Sequence, residues 1–237
     1  MRPDLEPSAG APAPKNVTSH GALSRRRLLG FGAAAAAGAA LSACGLDRAS
    51  TPDKAADLNA GWGGTLLDPP LFTKPEVTLT DFDGKPFPFV ESTGGKLTVL
   101  FFGYTNCPDV CPVYLQTMAR ALESIGPGPG SRPQVLFVGV DVARDTPDVL
   151  KAYLGKIDPT FIGLTGSEHD IAGAITHMKM PEVQIGEAAP DGSYEVGHPS
   201  QVSVFTRDNK CHRIYPSNVR QQQWAQDLPR LDVGVWK

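Results

Sequence analysis

The chain has 237 residues, with 22 Lys and Arg against 25 Asp and Glu, a formal net charge of −3 and an isoelectric point near 5.9. No basic stripe stands out, which argues against a nucleic-acid partner, because phosphate recognition needs clustered cations. The length fits one domain of ordinary size with attached segments.

The first 27 residues are rich in Pro and Ala and end in Ser24-Arg25-Arg26-Arg27, ahead of a weakly apolar stretch from Leu28 to Leu41. A membrane span needs about 20 apolar residues, so this stretch is too short to cross. A basic cluster, a short apolar core and small residues before a cut describe an export signal instead. The consecutive arginines resemble a twin-arginine address. The run LSAC (41–44) resembles a lipobox, in which cleavage precedes a cysteine that then carries lipid. Residues 1–43 are therefore expected to be a removed twin-arginine lipoprotein signal, with Cys44 lipidated and the chain anchored on the outer face of the cell membrane. An ordinary cleaved signal with a chance cysteine is the alternative. Residues 44–71 carry Asp, Ala, Gly, Thr and Pro with no sustained periodicity, which reads as a lipidated tether and flexible linker. Residues 72–237 remain for the folded domain.

Within that domain LTVLFFG (97–103) is a continuous apolar run, suited to a strand buried on both faces. CPVYLQTMARALESIG (111–126) has apolar positions at Val113, Leu115, Met118, Leu122 and Ile125, at helical spacing. GPGPGSRP (126–133) breaks the chain before a second buried strand, VLFVGVDV (135–142). Thr146, Pro147 and Asp148 supply a cap, a proline at the first helical position and an acid in the first turn, predicting a helix to about Gly155. FIGLTG (161–166) reads as a short strand, SEHDIAGAITHMK (167–179) as a helix and QVSVFT (201–206) as a strand. The chain then turns at Asp208-Asn209 into the strand CHRIYP (211–216), and Ser217 caps a last helix holding Trp224 and Leu228. Buried strands alternating with helices predict an α/β sheet with helices on its faces.

The stretch YTNCPDVCP (104–112) sets Cys107 in the loop after the first strand and Cys111 in the first turn of the next helix. Unpaired amides and the positive dipole end of a helix stabilise thiolate and lower its pKa, so both sulfurs are expected to be reactive or ligating. A structural disulfide, a redox couple and a metal site all remain open at this point. The disulfide is the weakest of the three, since closing so short a loop removes little unfolded-state entropy.

FFGYTNCPDVCP, VGVDVARDTPDVLKAYL, FIGLTG and a late His198 before an apolar strand occur in that order. Over about residues 72–232 this pattern resembles the Sco/SenC family, thioredoxin-like copper-binding proteins of cytochrome c oxidase assembly. The resemblance implies a thioredoxin-like sandwich, a central mixed sheet with helices on both faces. It also implies Cys107 and Cys111 as thiolate ligands, His198 as the imidazole ligand and Asp141 beside the site, orienting it rather than binding copper. Val142 stands where the family often has proline, Gly197 where Asp is commoner and Pro199 where a small hydroxyl residue is usual; none of these removes a ligand. The chemistry agrees independently: thiolates select Cu(I), and an added imidazole lets the site hold Cu(II) as well. Three ligands fall one short of a closed structural zinc site.

The function so implied is a membrane-tethered extracytoplasmic copper metallochaperone. It would deliver copper to the dinuclear centre of cytochrome c oxidase subunit II, with other extracytoplasmic copper chaperones as further partners. The alternative is a thiol–disulfide oxidoreductase that uses Cys107 and Cys111 as its redox pair to reduce the cysteines of the oxidase copper site, which leaves open whether the protein is an enzyme. A peroxidase is disfavoured, since peroxide chemistry does not require a late histidine. His177, Met178 and Met180 are soft enough for a second copper site but fit packing and capping better. Cys211 reads as a small buried hydrophobe or an intermolecular thiol. His169 and His212 read as surface residues, and Arg144 and Asp145 as ordering the loop before Thr146.

Overall fold

The two apolar runs expected to be strands lie side by side at the centre of a mixed sheet in the computed structural model, which describes residues 59–126 and 132–237. The export signal, the lipidation at Cys44 and most of the 126–133 break lie outside the described residues. In chain order the elements are β1 (Thr65–Leu66), β2 (Thr78–Asp81), β3 (Pro86–Pro88), α1 (Phe89–Ser92), β4 (Thr98–Gly103) and α2 (Val110–Ile125). They continue with β5 (Gln134–Gly139), α3 (Pro147–Gly155), β6 (Ile162–Thr165), α4 (Glu168–His177), β7 (Gln184–Ile185) and β8 (Val196–Gly197). The last three are β9 (Val202–Phe205), β10 (Cys211–Tyr215) and α5 (Gln221–Asp232).

Eight strands form one sheet in the order β1-β10-β9-β4-β5-β6-β2-β3, while β7 and β8 pair apart from it. β4, β5 and β6 run parallel, and the remaining neighbours are antiparallel. Every residue of β4 is buried, so both faces of the sheet are covered there. Phe101 and Phe137 are register partners on one face. Phe101 meets Tyr114 of α2 and Phe137 meets Tyr153 of α3, which places both helices on that face. α5 packs beside α2, with Trp224 against Tyr114 and Tyr215. Among the described residues no helix is long and apolar enough to cross a membrane.

The helix starts follow local chemistry where a cap is present. Thr146 Oγ1 accepts from Val149 N, and Ser167 Oγ accepts from Asp170 N at 3.1 Å, opening α3 and α4. α5 differs from expectation. It starts at Gln221, not at Ser217, because Gln223 Oε1 accepts the Arg220 N–H at 3.1 Å and closes the end of the helix there. The face of α2 also differs. Cys111, Tyr114, Leu115, Met118 and Leu122 are buried, and this register leaves Val113 60% exposed.

Two boundaries move for long-range reasons. The second strand ends at Gly139, so Val140, Asp141 and Val142 belong to a loop. At Gly139 a Cβ would lie 2.6 Å from Asp145 Cβ, and the Asp145 carboxylate receives Asp141 N, which draws the chain off the ladder. Residues 59–71, expected to belong to the linker, are packed on the domain instead. β1 adds to β10 through Thr65↔Ile214, and Gly63 N donates to Asp227 Oδ2 at 2.8 Å. The Trp62 ring sits between the guanidinium groups of Arg213 and Arg230, at 3.9 and 3.5 Å.

Candidate metal centre

The end of a central strand and the start of the helix that follows it bring Cys107 and Cys111 to one point. Gly103 closes β4, and a Cβ there would stand 2.8 Å from Cys111 Sγ and 2.7 Å from the Phe137 ring. Only glycine lets the sulfur settle against the strand end. The loop then turns through a Cys107 N to Tyr104 O bond of 3.1 Å and enters α2 at Val110, leaving Cys111 fully buried and Cys107 8% exposed. Both are free thiols.

His198 arrives from the other end of the chain, directly after β8. Its Nε2 lies 3.7 Å from Cys111 Sγ, and its ring stands edge-on to Tyr104 and Phe101 at 5.5 and 6.0 Å. The ligand atoms of Cys107, Cys111 and His198 all lie within 4.8 Å of one another, and among the described residues this is the His, Cys or acidic group able to surround one ion. His198 Nδ1 is 3.0 Å from the Pro199 carbonyl oxygen. A carbonyl can only accept, so Nδ1 carries the proton and the Nε2 lone pair faces the sulfurs. The structure thus places together the three residues that the sequence pattern put forward as ligands.

The charge state of Cys111 departs from expectation. Burial pushes the Cys111 thiol far above the ordinary range, a backbone hydrogen bond at Tyr104 offsets this in part, and the charge of Cys107 adds to the rise. Desolvation of a fully buried sulfur outweighs the helix dipole, which acts weakly across one turn. Burial therefore favours the protonated thiol at Cys111.

Asp141 is not among the converging ligand atoms. Its Oδ1 accepts from the Tyr194 hydroxyl at 2.9 Å, and its Oδ2 pairs with Arg144 Nε. The hydroxyl bond to Asp141, followed by desolvation, raises the Tyr194 pKa. Asp145 is fully buried and accepts from Thr105 N at 2.9 Å and Thr105 Oγ1 at 2.7 Å. Burial raises its pKa against these bonds. Asp145 thus orders the thiol loop as well as the loop ahead of α3. Tyr194 was not legible in the sequence, where it stands in a polar, aperiodic stretch.

The remaining candidates separate cleanly. Met178 and Met180 are core residues, while exposed His177 approaches the Thr73 carbonyl at 3.0 Å. Cys211 is fully buried, donates to the Arg213 carbonyl at 3.3 Å, and its thiol is pushed up to about 12 by burial. His169 is exposed. His212 is buried, contrary to expectation: it pairs with Asp208 at 3.0 Å and stacks on Trp236 at 3.9 Å, because the C-terminal tail covers that side of β10.

The SCO1/SenC family model matches residues 69–231, which is most of the chain and all of the site. The chain belongs to the SCO1/SenC family. Among relatives it is 36% identical over 146 residues to Protein SCO2, mitochondrial, of Saccharomyces cerevisiae, covering 62% of this chain but only 46% of the yeast protein. The structure of Bradyrhizobium japonicum ScoI with copper bound matches at a TM-score of 0.59 and 34% identity, covering 68% of this chain and 99% of that one. Yeast Sco1 with copper bound matches at 0.63 and 26%, covering 70% and 90%. These neighbours share the thioredoxin-like α/β architecture expected from the sequence.

Proposed function

We propose that this SCO1/SenC protein is a copper carrier whose cargo is held by Cys107, Cys111 and His198. The observation that carries the reading is the Nε2 of His198 at 3.7 Å from Cys111 Sγ, with Nδ1 committed to the Pro199 carbonyl. Two thiols and an aimed imidazole make a soft, three-coordinate set suited to Cu(I), and the imidazole extends it to Cu(II). Binding displaces the thiol protons. The copper-bound relatives support the same reading. The carrier delivers its ion to the dinuclear copper centre of cytochrome c oxidase subunit II and works from the outer face of the cell membrane, held by lipid on Cys44. Other extracytoplasmic copper chaperones are further partners. The basic and apolar run at residues 24–41 and the LSAC string support the location.

The proximity of the two sulfurs also supports a second reading, a dithiol reductant for the oxidase cysteines. A reductant has no use for His198, and the raised Cys111 thiol is a poor attacking group at neutral pH. One experiment separates the two. Equal amounts of the protein loaded with Cu(I) and with Cu(II) are mixed with the metal-free copper domain of subunit II, so that one ion of each state can form the mixed-valence pair, and the visible absorption of the dinuclear centre is followed. The carrier reading expects the centre to form from reduced acceptor, and to fail with Cys111→Ser. No transfer, together with reduction of an oxidised acceptor by the copper-free protein, would favour the reductant.

A further inference from the structure

One short segment, Asp141 to Asp145, grips both halves of the metal centre from between them. Toward the thiols, the Asp145 carboxylate receives the N–H and hydroxyl of Thr105, two residues ahead of Cys107. Toward the imidazole, three contacts converge on Tyr194, four residues ahead of His198, and an ion pair joins the two residues that make them. Asp141 Oδ1 accepts its hydroxyl at 2.9 Å, and Asp141 Oδ2 pairs with Arg144 Nε. The Arg144 guanidinium lies 3.6 Å from the Tyr194 ring centroid, and its Nη2 donates to the Tyr194 carbonyl at 3.3 Å.

The hairpin carrying His198 has few other supports. β7 and β8 pair only through Gln184↔Gly197 and Ile185↔Val196, form a sheet of their own, and leave both residues of β7 exposed. An isolated two-stranded pair of this length is marginal in water. Val196 is buried and its backbone bonds the Tyr104 side chain, which helps to seat the strand, but Tyr194 is the point where the hairpin is bonded to the loop beyond β5.

We propose that Tyr194 is the positioning residue of the centre: held by Asp141 and Arg144, it keeps His198 Nε2 facing the thiols, and its release is the movement that takes His198 off copper when the ion leaves. The proposal rests on the reading of His198 as a copper ligand. Asp141 acts through Tyr194, since the second nitrogen of His198 is already bonded to Pro199. When the hairpin swings out, the ion remains on two thiolates with an open coordination position, from which the soft ligands of an acceptor can draw it. No electron moves in this step.

The test is the rate at which Cu(I) passes from the detergent-solubilised full chain to excess chelator under anaerobic conditions. It compares wild type, Tyr194→Ala, Tyr194→Phe, His198→Ala and the Tyr194→Ala/His198→Ala double variant. We expect Tyr194→Ala to release copper about tenfold faster than wild type, the size of one lost charge-assisted hydrogen bond. Tyr194→Phe keeps its ring over Arg144 and should fall between the two. In the His198→Ala background, Tyr194→Ala should add nothing, because the latch then has no ligand to position. The Cu(II) form of Tyr194→Ala should keep its thiolate absorption and lose imidazole nitrogen coupling. Wild-type release by Tyr194→Ala beside fast release by His198→Ala would overturn the latch and leave the ligand assignment standing. Equal acceleration by Tyr194→Ala in both backgrounds would also overturn it. Unchanged release by His198→Ala would remove the ligand assignment and the latch with it.

Discussion

The two halves of the metal centre are built to different standards. The thiol loop leaves β4, six buried residues paired on both sides, and runs into a 16-residue helix. The imidazole leaves β8, two residues paired with an exposed two-residue partner outside the main sheet. Burial and hydrogen bonding fix the first within the cooperative core, whereas the second belongs to the part of a structure that opens locally at low cost. The difference assigns the halves different work. On the proposed reading, the rigid thiols retain the ion, and the lightly held imidazole completes its shell and gives way on exchange.

The largest effect that would break this division is loss of a thiol. Cys111→Ser should weaken Cu(I) binding by at least about 100-fold, because a hydroxyl is a hard, protonated donor. Competition with a Cu(I) chelator measures it, and retained affinity would remove the thiol loop from its retaining role. Next in size is Asp145→Ala, which leaves the part-buried Thr105 N–H without its acceptor. We expect a loss of about 2 kcal/mol in urea unfolding. A loss below about 0.5 kcal/mol would show that the thiol loop is as lightly held as the hairpin.

The pH dependence sharpens the same point. The Asp145 pKa is raised in the fold, chiefly by burial, so the folded state holds its proton more tightly than the unfolded chain does. Its contribution is present below the ordinary aspartate range and is lost as pH rises through the raised value. The stability of wild type relative to Asp145→Asn should therefore fall as pH climbs through that window. A gap that widened instead would mean the hydrogen bonds from Thr105 outweigh the burial. The smallest effect is kinetic: in the reduced native protein, iodoacetamide should modify Cys107 several-fold faster than Cys111, whose thiol is fully buried and held protonated. Equal rates by mass spectrometry would contradict the burial of Cys111.

The central strands and the helices between them were legible because each carries its own signal. The run 97–103 is continuously apolar, and Thr146-Pro147 and Ser167 announce their helices locally. What escaped depends on partners far along the chain. Residues 59–71 look like linker until β10 and Asp227 offer them pairing, about 150 residues away in order of magnitude. His212 looks exposed until Trp236 covers it. The same holds in the centre: Cys107, Cys111 and His198 stand out by type and order, whereas Tyr194 and the Pro199 carbonyl matter only through the contacts the fold gives them. The helix-dipole argument for a lowered Cys111 pKa failed because sequence does not reveal how deeply one turn of helix is buried.

The central claim is that His198 is the third ligand, and anaerobic Cu(I) titration of wild type and His198→Ala against a competing chelator tests it most directly, with the Cu(II) forms compared by sulfur charge-transfer absorption. Wild type should bind one copper per chain, and loss of the imidazole should lower the affinity by about 10- to 100-fold and shift the Cu(II) spectrum. The same stoichiometry, affinity and spectrum in both proteins would contradict the claim.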